Sequence, residues 1–97
     1  MTTLSPEELT KVIGARLLEC RKERQWPLAD VAARIAALTG DEVPASRYSN
    51  WELGLRRPPL WMALALAELF EVEEERFLDA RSAEWAFLSA RLMVSKD

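Results

Sequence analysis

The segment best equipped for chemistry spans residues 46–58, a polar run that contains three arginines and ends at a proline. Tyr48 and Trp51 lie three residues apart, so on a helix they share one face and can dock on a core. The opposite face then carries hydrogen-bonding side chains, among them Arg47 and Asn50, which can each form two hydrogen bonds with a base edge. The pattern predicts a helix that contacts bases in the major groove of DNA.

The residues that follow this helix suit a contact with phosphate. Gly54 can adopt the left-handed conformation that ends a helix, and Arg56 and Arg57 then stand where a DNA backbone would pass. Ala45, at the other end of the helix, is a candidate for contact with a thymine methyl group. The alternative for these residues is a polar helix face followed by solvated loop charges. The predicted DNA-binding residues are Ala45, Ser46, Arg47, Ser49, Asn50, Arg56 and Arg57.

The same run resembles the recognition helix of the phage-repressor and Cro family of helix-turn-helix proteins. That family ends the helix with hydrophobic-Ser-x-hydrophobic-Glu-x-Gly-x-Arg-x-Pro, and residues 48–58 are similar to this pattern. The resemblance covers about residues 13–78, including residues 13–17, the Val31-Ala32 pair, Ala67 and the Phe77-Leu78 close. It implies an all-α, five-helix, lambda-repressor-like domain that binds double-stranded DNA as a transcription regulator, in the form of a dimeric repressor. It also implies an ion pair between Arg21 and Glu52 that links the first helix to the recognition helix.

Two features depart from the family pattern. Leu28 stands where relatives carry a glutamine that often contacts DNA, so no polar contact is expected from the start of the second helix. The link over residues 36–43 looks about six residues longer than the usual tight turn. We expect one extra helical turn that stops at Gly40, which brings Asp41 and Glu42 close to the path of the DNA.

Caps and apolar spacing predict five helical segments. A capping box at Ser5, with Pro6 at the first helical position, starts a helix that runs to about residue 24. The second helix spans residues 28–38, the third begins near Pro44 or Ala45, and the fourth spans residues 60–70. Three glutamates at 73–75 suit the start of a fifth helix, which could continue to about residue 93. We expect a single domain over residues 1–97, with a core at about 13–78 and a helical extension at about 79–94.

The fourth helix is apolar on more than one side, which predicts burial of two faces. Leu60, Leu64 and Ala67 form the expected inward stripe. A second surface is expected from residues of this helix and from a C-terminal stripe at helical spacing. Either the stripe completes the core of a monomer, or the surface joins two copies, as is common for proteins that bind two-fold DNA sites. The candidate dimer residues are Trp61, Met62, Leu66, Trp85, Leu88 and Leu92.

The amino-acid composition argues against several classes of function. The chain has no histidine and one cysteine, Cys20, which removes the usual metal ligands, the usual acid–base catalyst and an internal disulfide. There is no glycine-rich phosphate loop and no nucleophile beside a base, so we predict no enzyme activity, no cofactor and no metal. No apolar run approaches the ~20 residues that span a bilayer, and no signal peptide is evident. We expect a cytoplasmic protein of bacterial or phage origin, partly from the resemblance.

The net charge of −3 is unevenly distributed. Residues 1–70 carry nine basic and nine acidic groups, whereas residues 71–97 carry four basic and seven acidic groups. Phosphate binding depends on the local potential, so the acidic C-terminal part is expected to face away from DNA. The acidic balance, Leu28 and the longer turn also fit a second function class. That alternative is a protein-interaction module, such as an antitoxin-like subunit whose apolar C-terminal helix engages a protein partner.

Overall fold

The computed structural model describes residues 4–78, and these residues form four α-helices and one short 3₁₀ helix. The elements are α1 (Pro6–Arg24), α2 (Leu28–Thr39), α3 (Ala45–Glu52), α4 (Leu60–Phe70) and the 3₁₀ helix Glu74–Phe77. The predicted all-α class is therefore confirmed for this part of the chain. The packing closes a ring, since α1 contacts α3, α3 contacts α2, α2 contacts α4, and the 3₁₀ helix contacts both α4 and α1.

Local signals account for the bounds of α1. The Glu8 backbone N–H donates to Ser5 Oγ at 3.2 Å, and the Ser5 backbone N–H donates to Glu8 Oε1 at 2.9 Å, which confirms the predicted capping box. These hydrogen bonds hold the pKa of Glu8 below its usual value. The helix ends where Gln25 adopts the left-handed conformation, with φ of 56°.

The link between α2 and α3 is anchored at both ends. Gly40 ends α2 with φ of 80°, as predicted, and the Asp41 backbone N–H donates to Thr39 Oγ1 at 3.1 Å. Val43 is buried in the core, and Pro44 stands directly before α3. Because the loop is fixed by these contacts, α3 enters the fold at a defined position.

Three aromatic rings pack against one another, two inside the core and one at its edge. Phe70 stacks on Trp26 with ring centroids 5.8 Å apart and meets Phe77 edge-on at 6.3 Å. Arg24 Nη1 donates to the Cys20 carbonyl at 2.9 Å, and Arg24 Nη2 donates to the Phe70 carbonyl. The end of α1 is thereby tied to the end of α4, and Cys20 is buried in the core.

The buried face of α4 differs from the predicted one. Leu60 and Leu64 are only half-buried, whereas Met62 and Leu66 are 1% and 0% exposed. The reason is that α4 lies between α2 and the 3₁₀ helix, so its most buried stripe is set by two neighbours. The prediction that Met62 and Leu66 form a dimer surface is therefore wrong, because both belong to the core. The buried residues of α4 are Met62, Ala63, Leu66, Ala67 and Phe70.

The predicted fifth helix begins near the expected glutamates, but its predicted continuation is wrong at Leu78. A single 3₁₀ turn follows Glu73, and Leu78 is already extended, with φ of −128° and ψ of 159°. Phe77 and Leu78 are both buried although they are adjacent in sequence. The extended backbone at Leu78 allows this, since a regular helix turns successive side chains about 100° apart. The predicted extension and its residues Trp85, Leu88 and Leu92 lie outside the described residues.

Candidate nucleic-acid interface

The inner face of α3 is fixed in the core by two aromatic side chains. Tyr48 is 0% exposed and Trp51 is 3% exposed, and their rings meet edge-on with centroids 6.0 Å apart. A helix of eight residues is too short to be stable by itself in water, so this packing must hold it. The pairing expected from their spacing is confirmed.

A glycine brings α1 into direct contact with the backbone at the end of α3. A Cβ atom added at Gly14 would lie 2.6 Å from the Trp51 carbonyl oxygen and 2.7 Å from that of Glu52. No other residue type fits there without a shift of one of the two helices. Gly14 had no predicted role of its own, although a glycine inside a helix does indicate a close packing contact.

An ion pair ties the C-terminal end of α3 to α1. Arg21 Nε lies 2.6 Å from Glu52 Oε2, and Arg21 Nη2 lies 3.0 Å from Glu52 Oε1. Arg21 Nη1 also donates to the Trp26 carbonyl at 3.1 Å, which connects the pair to the turn before α2. The hydrogen bond to Glu52 raises the pKa of Arg21 above its usual value. Both charges are satisfied, and the end of α3 is held at two points.

The Tyr48 hydroxyl lies close to this ion pair but outside it. Burial first, and then the Glu52 carboxylate, raise the pKa of Tyr48 far above its usual value. Within residues 4–78 the hydroxyl has no hydrogen-bond partner of normal geometry. Tyr48 therefore contributes its apolar ring and stays protonated at any physiological pH.

The outer face of α3 presents polar side chains to solvent. Arg47 and Ser46 are exposed, while Ala45, Ser49 and Asn50 are half-buried. The structure thus brings the five predicted residues of this helix together on a single short element. Their donors are available for hydrogen bonds with base edges or with a protein partner.

The turn after α3 places the two further arginines beside that face. The Asn50 carbonyl accepts from the backbone N–H of Leu55 at 3.0 Å and from that of Arg56 at 3.4 Å. Gly54 has φ of 74°, and a Cβ atom there would lie 3.0 Å from Lys11 Cα, so the turn is packed against α1. Arg56 is exposed and Arg57 is half-buried. Arg56 is therefore exposed on a constrained turn, with Arg57 next to it in the chain.

The same turn exposes two leucines for which no role was predicted from the sequence. Leu53 and Leu55 are 66% and 69% exposed, the highest fractions among the large apolar side chains described as exposed. They flank Gly54, so the positive φ at this residue turns the chain between them. Their exposure could not be predicted from the sequence, because it depends on the direction in which the folded turn places their side chains.

Two carboxylates adjoin the N-terminal part of α3. Asp41 and Glu42 border the same cavity of about 200 Å³ as Arg47, with Trp51 and Trp61 also in its wall. Both carboxylates are exposed. Their negative charge lowers the positive potential around Arg47.

The described part of the chain shows neither a metal site nor a membrane-spanning helix. Among residues 4–78, no group of three or more histidine, cysteine or acidic side chains could hold a metal ion. None of the four α-helices combines the length and the apolarity needed to cross a membrane. No protein-family model, curated protein or solved structure matches the chain.

Proposed function

We propose that this protein is a sequence-specific DNA-binding transcription regulator of the lambda-repressor-like helix-turn-helix type, acting as a small homodimeric repressor. The observation that carries the proposal is that α3 is fixed on its inner face and at its end, while its outer face is polar. Tyr48 and Trp51 lock its inner face into the core, Glu52 ties its end to α1, and its outer face stays polar. A helix held in this way loses little conformational entropy when it enters a groove.

In the proposed complex, α3 lies in the major groove. Arg47 and Asn50 contact base edges, Ser46 and Ser49 add hydrogen bonds, and Ala45 meets a thymine methyl group. Arg56 and Arg57 contact phosphates, which fixes the register of the helix without selecting a sequence.

Repression follows from occupancy of an operator. The resemblance to phage repressors motivates a bacterial or phage setting in the cytoplasm. Control would come from protein concentration, from a partner protein or from competition for sites.

Electrophoretic mobility of random genomic fragments over a salt series tests this proposal. We expect a subset of fragments to stay bound at salt concentrations that release the others, because base contacts add to the salt-sensitive phosphate contacts. A variant with Arg47→Ala and Asn50→Ala should lose that subset but keep weak binding at low salt. If the wild-type protein retains no fragment even at low salt, the proposed function is rejected.

A second candidate function is a protein-interaction module, for example an antitoxin-like subunit. The observation that favours it is the exposure of Leu53, Leu55 and Trp61, since DNA offers few apolar surfaces to such side chains. Under this alternative, substitution of Leu53 and Leu55 by serine would abolish capture of a protein partner, while DNA would not be bound by the wild type. The mobility experiment separates the two candidates.

A further inference from the structure

The outer side of α4 forms an open groove, lined by apolar side chains and by glutamates, that continues to the 3₁₀ helix. Trp61, Leu64 and Ala65 line it together with Val72, and it encloses about 530 Å³. Trp61 is 50% exposed there, in contrast to the core residues on the other side of α4. A half-exposed indole in such a groove is typical of a surface that a partner covers.

The rim of this groove is acidic. Glu68 and Glu74 border it directly, and residues 68–75 contain five glutamates and no basic residue. An occupant that complements the groove must therefore combine apolar side chains with positive charge. Nucleic acid has the wrong charge for this surface.

The stretch between Glu84 and Asp97 has this combination, although the C-terminal part as a whole is not basic. Within residues 85–96, Trp85, Leu88 and Leu92 follow at spacings of three and four, which on a helix forms one apolar stripe. The charged residues of the same stretch are Arg91 and Lys96, and it contains no acid. As a helix it would extend about 18 Å, comparable to the length of α4.

The short stretch of chain between the groove and the C-terminal segment favours docking between two copies. Val72 and Glu74 of the groove precede Leu78 by six residues or fewer, so a segment that fills its own groove would have to turn back within residues 79–84, before the stripe begins at Trp85. Residues 79–97 contain neither glycine nor proline, the residues that favour such reversals.

We infer that the α4 groove of each copy binds the C-terminal segment of a second copy, so that two reciprocal contacts build the homodimer. This inference deepens the dimer of the proposed function and is independent of its DNA contact. A two-fold pair uses each groove and each segment once, which leaves no half-contact open for further assembly.

Sedimentation of the full 97-residue chain at concentrations from about 1 to 100 μM, the usual range for weak dimers, tests the assembly. Trp61→Glu in the groove and Leu88→Glu in the segment should each raise the dimer dissociation constant about tenfold or more. Leu38→Glu is the matched control, because Leu38 is 42% exposed on α2 and does not line the groove. The control should dimerise like the wild type.

Mixing the two variants decides which copy supplies the segment. A Trp61→Glu chain keeps an intact segment, and a Leu88→Glu chain keeps an intact groove, so their mixture should form heterodimers through one remaining contact. A mixture that stays monomeric would overturn the inference. So would a wild type that is monomeric at the highest concentration.

A measurement on the wild type keeps the test valid if a variant fails to fold. Amide hydrogen exchange over residues 61–72 should slow as the concentration passes through the dimer dissociation constant, and exchange that does not depend on concentration would overturn the inference. DNA binding is measured separately by mobility shift. A protein that dimerises in this way but binds no DNA would reject the proposed function and leave the dimer intact.

Discussion

Arg21 and Glu52 join α1 to the end of α3 through two parallel hydrogen bonds, with Nε–Oε2 and Nη2–Oε1 distances of 2.6 Å and 3.0 Å. The side chains are 18% and 6% exposed, so water screens the pair only in part. Geometry of this kind restricts orientation as well as distance, because the planar guanidinium donates two hydrogen bonds in one plane to the carboxylate. The direction of α3 therefore depends on this contact.

Replacing Glu52 by alanine should destabilise the protein by about 3 kcal/mol, because the Arg21 charge would stay partly buried without its partner. Urea unfolding followed by circular dichroism measures the loss. Glu23→Ala is the control, since Glu23 is exposed on the same helix as Arg21 and should change stability by less than about 0.5 kcal/mol. An equally small effect at Glu52 would show that the pair is screened by solvent and does not fix α3.

Gly14→Ala should destabilise the protein by about 1–3 kcal/mol, although alanine favours helix formation. The reason is that the added methyl group would meet backbone oxygens of Trp51 and Glu52, which cannot rotate away as a side chain could. Gly40→Ala is the matched control, because nothing lies within 4 Å of its added Cβ and only its positive φ opposes the change. We expect Gly40→Ala to lower the free energy of unfolding by about 1 kcal/mol. The molecules that remain folded should bind DNA as tightly as the wild type. A neutral or stabilising Gly14→Ala would contradict the close contact.

Replacing Arg56 and Arg57 together by alanine should weaken binding to all DNA sequences alike. The slope of log affinity against log salt should fall by about 2, roughly one unit for each lost phosphate contact. Fluorescence anisotropy with one operator fragment and one random fragment measures both effects. Arg34→Gln serves as control, because its guanidinium lies over the Trp26 ring at 3.9 Å. If the slope is unchanged in the double variant, neither Arg56 nor Arg57 contacts a phosphate.

Arg47→Ala and Asn50→Ala should each cost about 1–3 kcal/mol on the operator and relax the preference at a small number of base pairs. Selection of binding sequences from a random pool measures that preference. The variant without Arg56 and Arg57 is the comparison, since it should lose affinity while keeping its preference. If Arg47→Ala weakens operator and random DNA by the same factor, this side chain contacts the backbone and does not select bases.

Several elements of this fold could be predicted because their signals are local. Ser5, Pro6 and Glu8 specify the start of α1 through hydrogen bonds between residues three apart, and Gly40 ends α2 through its own backbone freedom. The spacing of Tyr48 and Trp51 placed them on one face of α3. Such features depend on neighbours along the chain, so no knowledge of the rest of the fold is needed.

Other elements depended on tertiary packing. On the uniformly apolar α4, the sequence alone does not distinguish Met62 and Leu66, which are buried, from Trp61, which is half exposed. At Leu78, the core takes two adjacent side chains and so ends the helical turn that three glutamates favour. At Gly14, the close contact arises only where α1 crosses the end of α3. In each case the free energy comes from residues distant in sequence, and only the assembled fold brings them together.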